Sequence, residues 1–188
     1  MPNSGNANKT KVWLSLWSVY IIWGSTYYGI ALAIESMPPL LAMGTRFLAA
    51  TASIIVALGI KNGWRSLLIP KTEFLNASLM GGTLLGIAIG SVALGERYVP
   101  TGIAALIISA LPFWIAIFRT VDHDRPSNLS WLGVVIGFIG VAFLLKPGSV
   151  SPLNGASTGL MFFWAMAIMI GNIGWSFGSY IAPRFPMP

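Results

Sequence analysis

The fold is decided by one stretch, "YIIWGSTYYGIALAIESMPPLLAMGTRF", Tyr20 to Phe47. It begins as apolar helix and clusters Trp23, Ser25, Thr26, Tyr27 and Tyr28. It then turns at Pro38-Pro39 and places Arg46 inside a second apolar run. The 188-residue chain around it is 55% hydrophobic and only 9% charged; a soluble domain carries about 25% charged residues. Too little polar surface exists to cover a water-facing fold. The composition predicts an all-α polytopic membrane protein.

A hydrocarbon core about 30 Å thick is crossed by roughly 20 apolar residues in helix. The runs Trp13–Ile34, Pro39–Ile60, Phe74–Leu94, Val99–Phe118, Leu129–Leu145 and Gly159–Ala182 therefore predict six transmembrane helices. Helix is the economical choice because lipid offers no partner to an unsatisfied backbone group. With the amino terminus inside, Lys9, Lys11, Lys61, Arg65, Lys71, Arg119, Arg125 and Arg184 are cytoplasmic, and Arg97 and Lys146 are outside. That positive-inside bias predicts a multi-pass protein of the plasma or inner membrane, with both termini of this chain cytoplasmic.

The net charge of +6 comes from basic residues scattered singly between apolar runs. They form no patch for nucleic acid, so the expected partners are the bilayer and a small molecule. Without cysteine, and with His123 as its one histidine, the chain offers no metal or cofactor set. Asp122-His123-Asp124 is the one grouping with enzyme-like chemistry, and it reads as a solvated loop. No HExxH, GxSxG or P-loop pattern occurs. No catalytic residue is assigned, and an intramembrane enzyme is disfavoured.

Small residues four apart make a flat stripe on which a neighbouring helix packs closely. Such stripes occur at Gly82, Gly86 and Gly90, at Gly133 and Gly137, and at Gly174 and Gly178. Pro112 interrupts the fourth run. It predicts a kink, read either as a packing feature or as the border of a gated cavity.

Tyr20, Trp23 and Tyr27 are spaced three and four apart and share a helix face. At 1.5 Å per residue, Tyr27 and Arg46 both lie about 10–12 Å from the outer turn. An arginine facing lipid there costs at least about 2.5–3.5 kcal/mol on insertion scales. Two readings stand: Arg46 faces a wet cavity lined by Trp23, Tyr27 and Tyr20, or it snorkels outward.

These residues also carry a family likeness. "WGSTYYGIALAIESMPPLLAMGTRFLAA", "ERYVPTGIAALIISALPFWIAIF", "DRPSNLSWLGVVIGFIGVAFLL" and "IGWSFGSYIAPRF", in that order, resemble EamA-type transporters of the drug/metabolite transporter superfamily, YedA-like branch. The resemblance implies two five-helix repeats of inverted topology that export small metabolites or amphipathic compounds by alternating access. The expected division is a cytoplasmic tail over 1–12, a first EamA repeat over 13–146, an outer linker over 147–158, and the start of a second repeat over 159–188. Trp175-Ser-Phe-Gly-Ser-Tyr then echoes Trp23-Gly-Ser-Thr-Tyr-Tyr, which implies that Trp175 approaches the cavity from the second repeat. Asp124 departs from the glutamate many relatives carry there. Four further helices of the family pattern are missing. The expectation is accordingly a truncated permease. Its alternatives are a non-transporting remnant and a half-transporter completed by a homodimer or a separate second half.

Overall fold

The computed structural model describes residues 9–144 and 151–188. Residues 1–8 of the tail, the predicted end of the fifth run at Leu145, Lys146, and linker residues 147–150 lie outside the described residues. Helices α1 (Lys9–Ser36) and α2 (Pro39–Asn62) come first. They are followed by α3 (Lys71–Gly95), α4 (Thr101–Val121), α5 (Asn128–Leu144) and α6 (Thr158–Ile181). No strand occurs among the described residues. Four of the helices are long and apolar enough to cross a membrane: α2, α3, α4, and α6 with its extension to Arg184. Helix α1 has the length, but its indoles, phenols and hydroxyls dilute its hydropathy. The apolar helix Asn128–Gly137 of α5 is shorter than a span.

Local chemistry sets the helix starts. Pro39 occupies the first turn of α2, and Pro70 and Pro100 immediately precede α3 and α4. Proline's missing N–H is harmless there and its fixed φ suits the helix. Ser157 caps α6 by accepting from the Leu160 N–H at 3.2 Å. Helix α2 ends at Gly63, whose φ of 84° suits glycine.

The buried core lies where α1 turns into α2, and includes Ile30, Met43, Val92, Val99, Ala104 and Ile168. Helix α6 lies against α3 and both segments of α4, and glycine makes that approach close. A Cβ on Gly171 would sit 2.4 Å from Ser91 Oγ and 3.1 Å from the Ala88 Cα. One on Gly95 would sit 2.7 Å from Ile168 Cδ1, and one on Gly178 would sit 3.1 Å from Leu84 Cδ1. Of the glycines in the sequence stripes, Gly178 alone is in tight contact. Gly90 only touches Leu40 at 4.0 Å, and a Cβ on Gly82, Gly86, Gly133, Gly137 or Gly174 would meet nothing within 4 Å. The stripe identifies residues that share a face, but not which face meets a neighbour.

The middle of α3, Gly82–Ile89, is wound as a π-helix. This wider coil is rare and recurs at functional sites. It presents the Ala88 backbone to Gly171, and Ser91, in the α-helical turn that follows, completes the contact. Gly171→Val forces α6 away from the α3 backbone and should cost about 1–3 kcal/mol, read as a lower unfolding temperature in detergent. Gly133→Ala, placed in open space, should leave that temperature unchanged.

Candidate functional site

Pro112 divides α4 into Thr101–Ser109 and Leu111–Val121. Lacking an N–H, it leaves the Ile108 carbonyl without its helical donor. The chain tightens before it, with the Ala110 N–H donating to the Ile107 carbonyl at 3.2 Å. The same Ile107 carbonyl accepts a second bond, 2.8 Å long, from the amide Nδ2 of Asn172 on α6. Asn172 is 4% exposed, so this is an interhelical bond away from water.

Around that bond lies a cavity of about 30 Å³. Trp23 and Tyr27 of α1, Val92 of α3, Leu111 of α4, and Asn172 and Trp175 of α6 line it. The indoles of Trp23 and Trp175 meet edge to face, with centroids 6.2 Å apart. The volume holds about one or two waters, far below the ~300–1,000 Å³ of a small-molecule site.

Three of the sequence candidates, Trp23, Tyr27 and Trp175, thus converge. Tyr20 does not join them; it is 59% exposed and stacks edge to face on Trp17. Arg46 also lies outside the lining. Ala42 and Met43 are buried and Phe47 is half-buried, whereas Arg46 sits at the flank of that face, exposed, its guanidinium 5.7 Å from the Phe47 ring. Pro112 lines a separate, apolar-walled groove of about 430 Å³ with Gly133 and Gly137 of α5. Asn172 escaped the sequence reading. Its signal was an amide within the apolar run "AMAIMIGNIGW".

The two ends of the bundle differ. At the end carrying Glu35 and Glu96, a vestibule of about 680 Å³ is lined by Ile34, Glu35, Glu96, Arg97, Thr101 and Asn154 among others. At the opposite end exposed side chains tie α4 to α6. Asp122, after α4, accepts from the Tyr180 hydroxyl at 2.5 Å and from Arg184. Phe118 packs on Phe177 and Tyr180. The Tyr180 hydroxyl first, and Arg184 next, hold the Asp122 carboxyl below the usual carboxylate range. The tie is therefore complete at neutral pH and is lost as acid titrates Asp122.

Long apolar helices packed closely on one another, with apolar side chains turned outward, describe a multi-pass helical membrane protein. The chain belongs to the EamA-like transporter family, which matches residues 11–146. It is 37% identical to the inner membrane transporter YedA of Escherichia coli over 93% of this chain and 54% of the relative. It is 24% identical to the transporter YoaV of Bacillus subtilis over 88% of this chain and 54% of the relative. A Salmonella typhimurium protein named "Probable amino-acid metabolite efflux pump" is 28% identical over 90% of this chain and 54% of its own length. The chain spans about half the length of these curated relatives. No solved structure matches it.

The bond from Asn172 to the kink has a measurable weight. Interhelical hydrogen bonds in membranes average about 0.6 kcal/mol and reach about 1.7. Asn172→Leu should therefore lower stability by about that much in a denaturant titration in micelles, and Asn172→Gln should lose less only where its longer amide still reaches Ile107.

Proposed function

We propose that this chain forms part of an exporter of small metabolites or amphipathic compounds in the inner or plasma membrane. In this reading residues 13–146 are one five-helix repeat, with α1 and α5 as further spans. Residues 159–188 open an inverted second repeat, and both ends of the chain face the cytoplasm. Because the chain spans about half the length of its curated relatives, the path would be completed by the other half of such a protein or by a partner copy. The convergence of Trp23, Tyr27, Asn172 and Trp175 on one cavity carries the proposal. Trp23 and Trp175 stand in the two echoing segments of the chain, so their contact is what a pseudo-symmetric pair of repeats meeting at a central site would produce.

The cavity as found is too small for a metabolite, and alternating access supplies the difference. The Pro112 kink and the π-helical segment border the cavity through Leu111 and Ala88. Both are places where the regular ladder is already interrupted, so parting the helices there breaks few backbone bonds. Trp and Tyr faces with one amide suit an amphipathic solute. They offer a large apolar contact with a few hydrogen bonds to orient it. The name of the Salmonella relative adds amino-acid metabolites to the compounds worth testing.

The decisive assay is efflux from cells that lack their own exporters and express this gene. Trp23→Ala or Trp175→Ala removes an aromatic pair worth about 0.5–1.5 kcal/mol beyond its area. Apparent affinity for an exported amphipathic compound should fall about two- to tenfold, with expression unchanged. Unaltered efflux in both variants overturns this site. Arg46→Gln tests the remaining alternative, since only a guanidinium that reaches substrate would alter efflux at equal expression.

A further inference from the structure

Glu96 is the first residue past α3 and is 3% exposed. Neither carboxylate oxygen has a hydrogen-bond partner among the described residues. Its surroundings are rigidly held. The Val99 N–H donates to the Gly95 carbonyl at 2.8 Å, and the Leu153 N–H to the Tyr98 carbonyl at 3.1 Å. Asn154 Nδ2 donates to the Arg97 carbonyl at 2.7 Å. Tyr98 stacks on Trp164 with centroids 5.9 Å apart. This corner is therefore a built wall of the 680 Å³ vestibule, and Glu96 is set into it rather than swept over it.

Among the described residues, charges nearby do not relieve the burial. From its own connection Arg97 is exposed on the same vestibule and makes no ion pair among the described residues, and Tyr98 is half-buried with its ring on Trp164. From α1, Glu35 shares the vestibule and Tyr27 lies within electrostatic reach of Glu96. From α2 the one charged group on the adjoining half is Arg46, exposed and in no ion pair among the described residues. Helix α4 contributes the Thr101 hydroxyl to the vestibule, and neither its first segment nor residues 151–179 carry a charged side chain. A carboxylate buried without a partner lowers its free energy by taking up a proton. Loss of solvation moves the Glu96 carboxyl up to about 7.

We propose that Glu96 is a proton-binding site of the vestibule wall, neutral in the folded protein at mildly acidic pH and charged at alkaline pH. Because Tyr27 lines the Trp23–Trp175 cavity and lies within electrostatic reach of this carboxyl, the proton would also set the potential at the cavity edge. That last step rests on the exporter reading; proton binding itself does not.

The test uses the whole chain in lipid vesicles and needs no transported substrate. Infrared difference spectra across a pH titration should show a carboxyl C=O band that vanishes as pH rises through about 7. Glu96→Gln, which mimics the neutral form, should abolish the band. Sodium chloride in place of potassium chloride should leave the midpoint where it was. A band that survives in Glu96→Gln, no band near neutrality, or a midpoint displaced by sodium overturns the proposal.

Stability offers an independent reading. A carboxyl raised above its ordinary 4.5 contributes stability that is complete below 4.5 and is lost as pH rises through about 7. The wild type should therefore lose unfolding temperature across that window, and Glu96→Gln should flatten the profile. A slope unchanged by the substitution counts against Glu96. Intact efflux with no titration sinks only the proton site; a clear titration without efflux sinks only the exporter.

Discussion

The close approach of α6 to α3 governs the rest of the molecule. Lipid tails are as apolar as leucine, so two helices in a bilayer gain from contact chiefly through tight packing and hydrogen bonds. Gly171 supplies that packing by admitting Ser91 and the Ala88 backbone into the space a side chain would fill. One turn earlier, Ile168 fills the space over Gly95; two turns later, Leu84 meets Gly178. With α6 held at this depth, Asn172 reaches the Ile107 carbonyl and Trp175 reaches Trp23. A shift of α6 by one residue would turn all of these groups to other faces.

The kink in α4 and the amide that answers it form a single device. Proline removes a donor from the helix interior, and the neighbouring Ile107 carbonyl takes a second bond from another helix. An exposed kink could draw on water. This one faces α6, where Asn172 is buried and Ser176 donates back to the Asn172 carbonyl at 2.8 Å. The result is a bend with a defined partner, beside a cavity whose walls are otherwise indole, phenol and aliphatic carbon. The outward faces are the reverse of a soluble protein's. Leu48, Ile60 and Leu129 are each more than two-thirds exposed, which suits hydrocarbon and would favour aggregation in water.

Polarity is divided between the ends. Near the α1–α2 turn, carboxylates and backbone bonds surround an open vestibule. At the other end Asp122 gathers Tyr180 and Arg184 into one exposed cluster, while Asn76 Nδ2 donates to the Pro186 carbonyl at 3.0 Å. Charge at that cluster is compensated; charge at Glu96 is not. The same functional group therefore serves two purposes: the Asp122 carboxylate as an ionised tie, the Glu96 carboxyl as a group whose state depends on its solvation.

The sequence by itself determined that the chain is helical and lies in a membrane, because runs of about twenty apolar residues leave the backbone no other economical partner. It also singled out Trp23 and Tyr27, since aromatic residues at helical spacing are legible in one dimension, and Trp175 through its segment's echo of the Trp23 segment, and it placed a kink at Pro112. The glycine stripes and Arg46 were legible only as candidates. Periodicity reports which side chains share a face and is silent on which face a neighbour covers. Tertiary structure alone decided that Gly171 and Gly95 make the tight contacts, that Asn172 answers the kink, and that Arg46 stands outside the cavity. It also decided that Glu96 is buried, because solvation depends on what the rest of the chain places around a residue, and no local pattern encodes that.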